Sequence, residues 1–459
     1  MVSNSGNPGN SHAGVSEAAL SEQYDTGVSV AVGERPGIAR SGQSSDVLVV
    51  DARLRQSLVA VRSLGRYGLR VAALETSAPV PAFSSRWCQR SLVYPVREGT
   101  DAYLAALEEA LAQTGARVLL SSSDGTIALI RQHRERLERQ VRIALAKEPA
   151  MSIAVNKEQT LEIAQRLGLH IPRGVTVTNV DEVAAAVREI GLPAVVKPIE
   201  SWVWDGQGQQ GQVGAQVSHG ARFMSKLVTT LHEARVAVQE LTATGGTTLF
   251  QQFLTGRREA VSLLYANGEV YARFAQWAKR TEPPLGGTSV LRQSIAIPAD
   301  IGEQSERLVR EIDLEGYSEV EFRRDSAGVP YLMEINPRLS ASVEIAVRSG
   351  VDFPALLYQW AAGERITKIE QYRTGGWMRY LKGDLMTTIE AIQQRGRPGV
   401  SPPAQAVLGF CLSFFRPMDY DYLDWNDPMP ALRATGDFMR SWVGGAMKKR
   451  LSHLRRNFS

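Results

Sequence analysis

The stretch from Ser318 to Ser342, SEVEFRRDSAGVPYLMEINPRLSAS, limits what this chain can become more than any other. Residues 318–324 and 329–335 are both rich in Val, Phe, Tyr, Leu and Ile, and Asp325-Ser326-Ala327-Gly328 between them is a turn composition, which predicts a β-hairpin. A loop centred on Ala327 and Gly328 sets Asp325 against Pro330, Arg323 against Leu332 and Glu321 against Glu334. Side chains alternate along a strand, so Glu334 and Asn336 share a face and Glu321 joins them there. Facing carboxylates destabilise a strand pair unless a cation neutralises them, and a hard divalent ion with oxygen ligands does so. Mg²⁺ is the expected ion, with Mn²⁺ as the alternative. Mg²⁺ is usually held by one or two carboxylates plus substrate phosphates, which points to a phosphorylated ligand. Pro337 ends the strand and Arg338 follows as a fixed cation. Taken alone, the hairpin is equally a solvated strand face with two ordinary acids.

The rest of the chain has to supply the phosphate site. With 459 residues, 44% of them hydrophobic, there is material for two or three domains with cores. No window holds the roughly 18 consecutive apolar residues of a membrane helix, and the polar N-terminus lacks a secretory apolar segment. Two cysteines, Cys88 and Cys411, make no disulfide framework, so a cytoplasmic location is expected. The net charge of +4 comes from the end of the chain: Lys448, Lys449, Arg450, Arg455 and Arg456 stand in Met447–Ser459 without an acid, and without them the balance is −1. A nucleic-acid partner is therefore not expected. The basic tail either stays solvated or touches an anionic membrane surface.

Residues 1–45, rich in Gly, Ser and Asn, are expected to form a leader without structure. From Asp46 the pattern changes to strand 47–52, helix 57–68, strand 69–75, helix 101–114 and strand 116–123, a Rossmann-like parallel-sheet domain over 46–150. Its first strand-to-helix turn, DARLRQS, has no G-x-G-x-x-G, which argues against a nicotinamide cofactor. A helix over 151–171 opens near Lys157. A second helix, 181–190, leads into the strand AVVKP, which places Lys197 at a sheet edge, where an ammonium suits a phosphate. Asp205–Gly214 contains four glycines, at 206, 208, 211 and 214, beside Trp202 and Trp204. A helix is expected around 219–239, then antiparallel strands that turn at Asn267-Gly268. The segment 279–295 is rich in Pro and Gly and is expected to be a functional loop. Helices at 302–313 and 340–349 flank the hairpin, and 366–459 reads as an aromatic, turn-rich helical cap.

With Glu321 in VEF, MEINPR at 333–338, Lys157, Lys197 and the glycine stretch in place, the chain resembles the ATP-grasp superfamily over roughly residues 46–365. The likeness is to its carbamoyl-phosphate-synthetase-like branch and to predicted carboxylate–amine ligases. The resemblance implies an α/β protein with a Rossmann-like domain at 46–150, an ATP-grasp domain at 151–365 in subdomains of about 151–245 and 246–365, and an extension over 366–459. It implies ATP and Mg²⁺, with Lys157, Lys197 and the backbone of Gly206, Gly208 and Gly211 on the phosphates. Gln251 would accept the adenine amino group, at a hinge where glutamate is commoner, and the backbone of Gln252, Phe253 and Leu254 would read the adenine edge. Glu259 would approach the ribose. Glu321, Glu334 and Asn336 would hold the metal. Arg338 and Arg292, with Arg280 as a second candidate, would stabilise the transferred group. The activity implied is an ADP-forming ligase that activates a carboxylate as an acyl-phosphate for attack by an amine. A homodimer is a separate expectation. Alternatives are a carbamoyl-phosphate-forming or carboxylating enzyme and a non-catalytic nucleotide-binding protein.

Overall fold

The computed structural model describes residues 31–34, 44–95, 100–200, 202–204, 220–222, 225–243 and 246–441. Its first unit is a six-stranded sheet. Val47–Val49, Val71–Glu75, Cys88–Val93, Val118–Leu120 and Arg142–Ile143 run parallel, and Ala31–Glu34 pairs antiparallel on the Cys88–Val93 edge. The expectation of a leader without structure thus fails at 31–34, where four backbone groups find a ladder on an open edge. Val47–Val49 and Val118–Leu120 are entirely buried, as strands covered by helices on both faces must be. These two strands are neighbours, with the next strands in the chain laid outward on either side. Strand order therefore reverses between them, and the helices that follow, Arg55–Arg66 and Asp124–Gln132, begin at that crevice.

Besides the two-stranded pair of Trp202–Trp204 with Gly220–Arg222, two antiparallel sheets follow. The smaller runs Lys226–Val228, Ala194–Pro198, Thr248–Gln252, Gly174–Val177, and helices Val183–Ile190 and Leu231–Thr242 pack on one side of it. The larger runs Pro330–Asn336, Gly316–Arg324, Arg258–Ala266, Glu269–Glu282, Thr288–Ile295, Trp377–Arg379, Asp419–Tyr420, with only the last pair parallel. Asn267 and Gly268 have φ of 51° and 78°, the positive pair that a tight hairpin turn needs. The helix expected over 219–239 begins only at Leu231, where the Thr230 hydroxyl caps it. The one expected over 151–171 is two, Ala150–Val155 and Lys157–Arg166, divided at Asn156, whose side chain accepts from the Gln159 N–H. Nor is 279–295 a loop: strands run to Glu282 and from Thr288, so Pro and Gly occupy only the turn between them.

At the tip of the 318–342 hairpin, Arg323 faces Tyr331, not Leu332, and Arg324 faces Pro330. The register shifts by one between Glu321 and Phe322, a bulge at Met333 that restores Glu321 opposite Glu334. The C-terminal region is more than a helical cap. It contributes Trp377–Arg379 and Asp419–Tyr420 to the large sheet, with helices Leu381–Gln393 and Pro403–Leu412 between them.

Candidate active site

Alternation gives the large sheet two chemically different faces. Val261, Leu263, Val320, Phe322 and Ile335 pack with helix Ala299–Glu311 in one core. The other face carries Arg258, Gln276, Glu319, Glu321, Glu334 and Asn336, which all line one cleft. Glu321 is buried, accepts from Arg258 Nε at 3.0 Å, and its other oxygen accepts from Asn336 Nδ2 at 3.0 Å. Burial drives its carboxyl up to about 7; Arg258 opposes this, and the neighbouring Glu334 and Glu319 add to it. Burial also raises Glu334, yet Lys157, Lys197, Arg258 and Arg338 together hold it below the ordinary carboxylate value. Among the described residues no three His, Cys, Asp or Glu side chains form a metal-holding group by themselves. Two carboxylates and an amide that a half-turn would present through Oδ1 suit an ion that also takes substrate oxygens, as Mg²⁺ does.

Both lysines reach this point from separate elements. Lys157, at the first position of helix Lys157–Arg166, is buried with its Nζ 3.6 Å from Glu334 Oε2. Lys197 is buried at the end of Ala194–Pro198, and burial lowers its ammonium to about 8 while Glu334 supports the charge. Arg338 forms a two-pronged ion pair with Asp124, with Nη2 3.1 Å from Oδ2, which ties the hairpin to the parallel-sheet unit. The Asp124 charge keeps the guanidinium strongly protonated despite burial.

Strand Thr248–Gln252 places Leu249 beside Lys197 and Gln251 beside Val195. The Gln251 amide is fully buried, and neither Nε2 nor Oε1 has a hydrogen-bond partner among the described residues. Immediately after it the chain passes through Phe253 and Leu254 to the large sheet, while the Gln252 N–H donates to the Arg173 carbonyl at 2.8 Å. Gly206, Gly208 and Gly211 lie outside the described residues, as does the basic tail.

Three other expected residues sit elsewhere. Glu259 points to the helix-covered face, where Arg324 donates to it at 2.7 Å and Arg257 Nε lies 3.0 Å away, because it is one position out of phase with Arg258. Arg292 is fully buried in an ion pair with Asp421, with Nη1 3.0 Å from Oδ2. Arg280 is paired with Asp384, 2.7 Å from Nη2 to Oδ2. Neither arginine lines the cleft. Arg258, Glu319 and Gln276, which no sequence motif marks, complete the cleft face. Gln276 Nε2 donates to Glu319 at 3.0 Å and to Ser342 at 2.6 Å. Their signal was present in the strand phase: Ala260 faces both Gln276 and Glu321, so that row belongs to the same face as the hairpin carboxylates.

The cleft, about 570 Å³, has its far wall on the parallel-sheet unit, where Asp51, Arg53, Arg55, Glu75 and Tyr103 line it. Residues 246–383 match the family described as ATP-grasp in the biosynthetic pathway with Ter operon. Among curated relatives, a carbamoyl phosphate synthase large chain of Thermus thermophilus is 25% identical over 329 residues, 68% of this chain and 30% of that protein. The Deinococcus deserti large chain is 26% identical over 198 residues, 42% of this chain and 18% of its own length. The chain thus spans less than a third of these relatives. Solved structures with the same fold include an L-amino acid ligase from Bacillus licheniformis (TM-score 0.56, 17% identity, 73% of this chain and 80% of that one). N5-carboxyaminoimidazole synthetase from Staphylococcus aureus has a TM-score of 0.55 at 15% identity, with 77% and 87% covered. The biotin carboxylase domain of Hydrogenobacter thermophilus 2-oxoglutarate carboxylase, solved with MgADP, has 0.55 at 16%, with 73% and 74% covered. Residues 246–383 thus carry an ATP-grasp match, inside a chain whose fold is shared with the solved structures above.

Proposed function

We propose that the chain is an ADP-forming carboxylate–amine ligase. The observation that carries this reading is convergence: Lys157, Glu321, Glu334, Asn336 and Arg338, drawn from three elements, line one cleft whose far wall belongs to the parallel-sheet unit. Glu321, Glu334 and Asn336 would hold Mg²⁺ or Mn²⁺, which when bound neutralises phosphate oxygens as a Lewis acid. Lys157 and Lys197 offer ammonium groups to the β- and γ-phosphates, and the Gln251 amide offers a donor and an acceptor to adenine. Arg338, fixed by Asp124, faces the position where a substrate carboxylate attacks the γ-phosphorus in line, so that ADP leaves and an acyl-phosphate forms. An amine then attacks the acyl carbon, its proton is lost to solvent, and phosphate leaves. Positioning and charge carry the acceleration without a protein nucleophile.

The relatives favour one second reading, a carbamoyl-phosphate-forming or carboxylating enzyme. Incubation with Mg-ATP, candidate acids and hydroxylamine separates the two. A ligase yields ADP, phosphate and a hydroxamate of the acid, whereas ADP release that needs only bicarbonate supports the second. AMP with pyrophosphate overturns both, because the reading assigns Lys157, Lys197 and the metal to the β/γ bridge. Homodimer formation, contact of the basic tail with an anionic surface and a cytoplasmic location belong to the same proposal. Among the described residues no helix is long and apolar enough to cross a membrane.

A further inference from the structure

Arg55 lines the same cleft as the carboxylates of the 318–342 hairpin. It is the first residue of the twelve-residue helix Arg55–Arg66, which starts beside the crevice where the parallel sheet reverses its strand order. The residue before it is Leu54, which provides no side-chain cap, and the first turn contains no acid, so the opening N–H groups of this helix present the positive end of its dipole; Glu75 accepts from the Arg53 N–H at 2.8 Å, two residues before the helix starts. Arg55 is held from the C-terminal extension: its Nη1 lies 3.1 Å from Asp421 Oδ2 and its Cζ sits 3.9 Å from the centre of the Tyr380 ring. Asp421 in turn is fixed by buried Arg292. Across the crevice, Ser122 also lines the cleft; it is 1% exposed, and its Oγ has no hydrogen-bond partner among the described residues. Its carbonyl accepts from Gln56 Nε2 at 3.2 Å, which locks Ser122 to the same helix start.

We propose that Arg55, the first turn of its helix and Ser122 Oγ form a carboxylate subsite. Its occupant is the carboxylate of an amine-bearing acceptor, an amino acid, whose amino group extends along the cleft toward the acyl-phosphate. Asp421 and Tyr380 are positioning residues for Arg55. The inference rests on the ligase reading, and it assigns to residues beyond 366 a part in substrate choice.

The test is ADP release by the full chain with Mg-ATP and a panel of L-amino acids, alone and in pairs, run beside the carboxamide of each. Wild type is expected to prefer the free acids as acceptors. Arg55→Gln is expected to raise the acceptor KM roughly tenfold to a hundredfold, the usual range for losing a charge-assisted contact, with kcat little changed and the carboxamides unaffected. Arg55→Lys restores part of the loss. Tyr380→Leu, which leaves the ion pair intact, moves KM in the same direction by a smaller factor. Thermal denaturation checks that each variant is folded. Equal loss for acids and carboxamides, or no loss for either, overturns the subsite. A wild-type chain that binds Mg-ATP in calorimetry and releases ADP only with acceptors lacking a carboxylate overturns it too, while leaving the ligase reading standing. No release with any pair overturns the amino-acid acceptor, and absence of Mg-ATP binding removes the reading beneath it.

Discussion

Gln251 is a residue whose cost and use separate. A buried amide without partners costs about 1–3 kcal/mol of stability, and its neighbours in the strand, Phe250 and Leu249, are apolar and buried. Gln251→Leu is therefore expected to stabilise the nucleotide-free protein by about that amount while weakening ATP. Chemical denaturation without nucleotide measures the first effect. Calorimetry with ATP and with tripolyphosphate measures the second, because only the ligand with a base should suffer. Equal loss for the two ligands would remove the adenine role, and a destabilised Gln251→Leu would mean that the amide is satisfied in the folded protein. The expectation for Gln251 followed from the likeness of LFQQFL to a hinge, and its position beside Val195 suits that role. Glu259 in GRREAVS and Arg292 in the 279–295 segment rest on the wider family likeness, yet their partners, Arg324 and Asp421, are 65 and 129 residues away. Ion pairing over such separations leaves no local trace in a sequence.

Elements carry their own arguments. The strand Ala194–Pro198 was legible as an apolar run, and its antiparallel ladder with Thr248–Gln252 sets Lys197 opposite Leu249 in a buried layer. That burial lowers the ammonium to about 8, well under its ordinary 10.5. The charged form attracts phosphate and is complete below that value, so ATP affinity should hold from pH 6 to pH 7 and fall as pH rises through 8. Linkage has the opposite sign for folding: between about 8 and 10.5 the unfolded chain binds more protons, so the nucleotide-free protein gains stability as pH rises there. Lys197→Arg should flatten the affinity profile, since a guanidinium stays charged. Calorimetric titrations at pH 7, 8 and 9 decide, and an unchanged slope in Lys197→Arg would assign the dependence to another group. The hairpin shows the limit of pattern reading at this scale. Alternation correctly gave the Glu321–Glu334 pair, but the one-residue error at the tip was hidden because the bulge at Met333 compensates for it. Bulges are set by local backbone twist, which period-2 patterns do not encode.

At the scale of the whole molecule, the region past residue 366 fastens the parallel-sheet unit to the rest. Asp421, Asp424 and Asp427 pair with Arg55, Arg66 and Arg62, which stand on one helix of that unit. Composition alone marked this region as aromatic and turn-rich, because the acids acquire meaning only when helix Arg55–Arg66 is brought beside them. The Arg62–Asp427 contact is the deepest of the three: both side chains are 1% exposed, with Nε 2.9 Å from Oδ2. Asp427 also accepts from Ser85 Oγ at 2.6 Å and from the Arg86 N–H at 2.8 Å. Removing one member of such a pair strands a buried charge and costs about 3–5 kcal/mol, far more than a surface pair contributes. Asp427→Ala is accordingly expected to lose about that much, and adding Arg62→Met should recover part of it, since the unpaired charge leaves with the guanidinium. Recovery cannot be complete, because Ser85 and the Arg86 N–H still lack their acceptor. Urea unfolding followed by tryptophan fluorescence supplies the comparison. If the strap holds the units together, Asp427→Ala should also expose residues 416–430 to protease at a urea concentration that leaves wild type intact. A single-mutant midpoint equal to wild type, or a double mutant weaker than the single, would mean that the cleft's two walls are held in register by the Arg338–Asp124 tie and not by this extension.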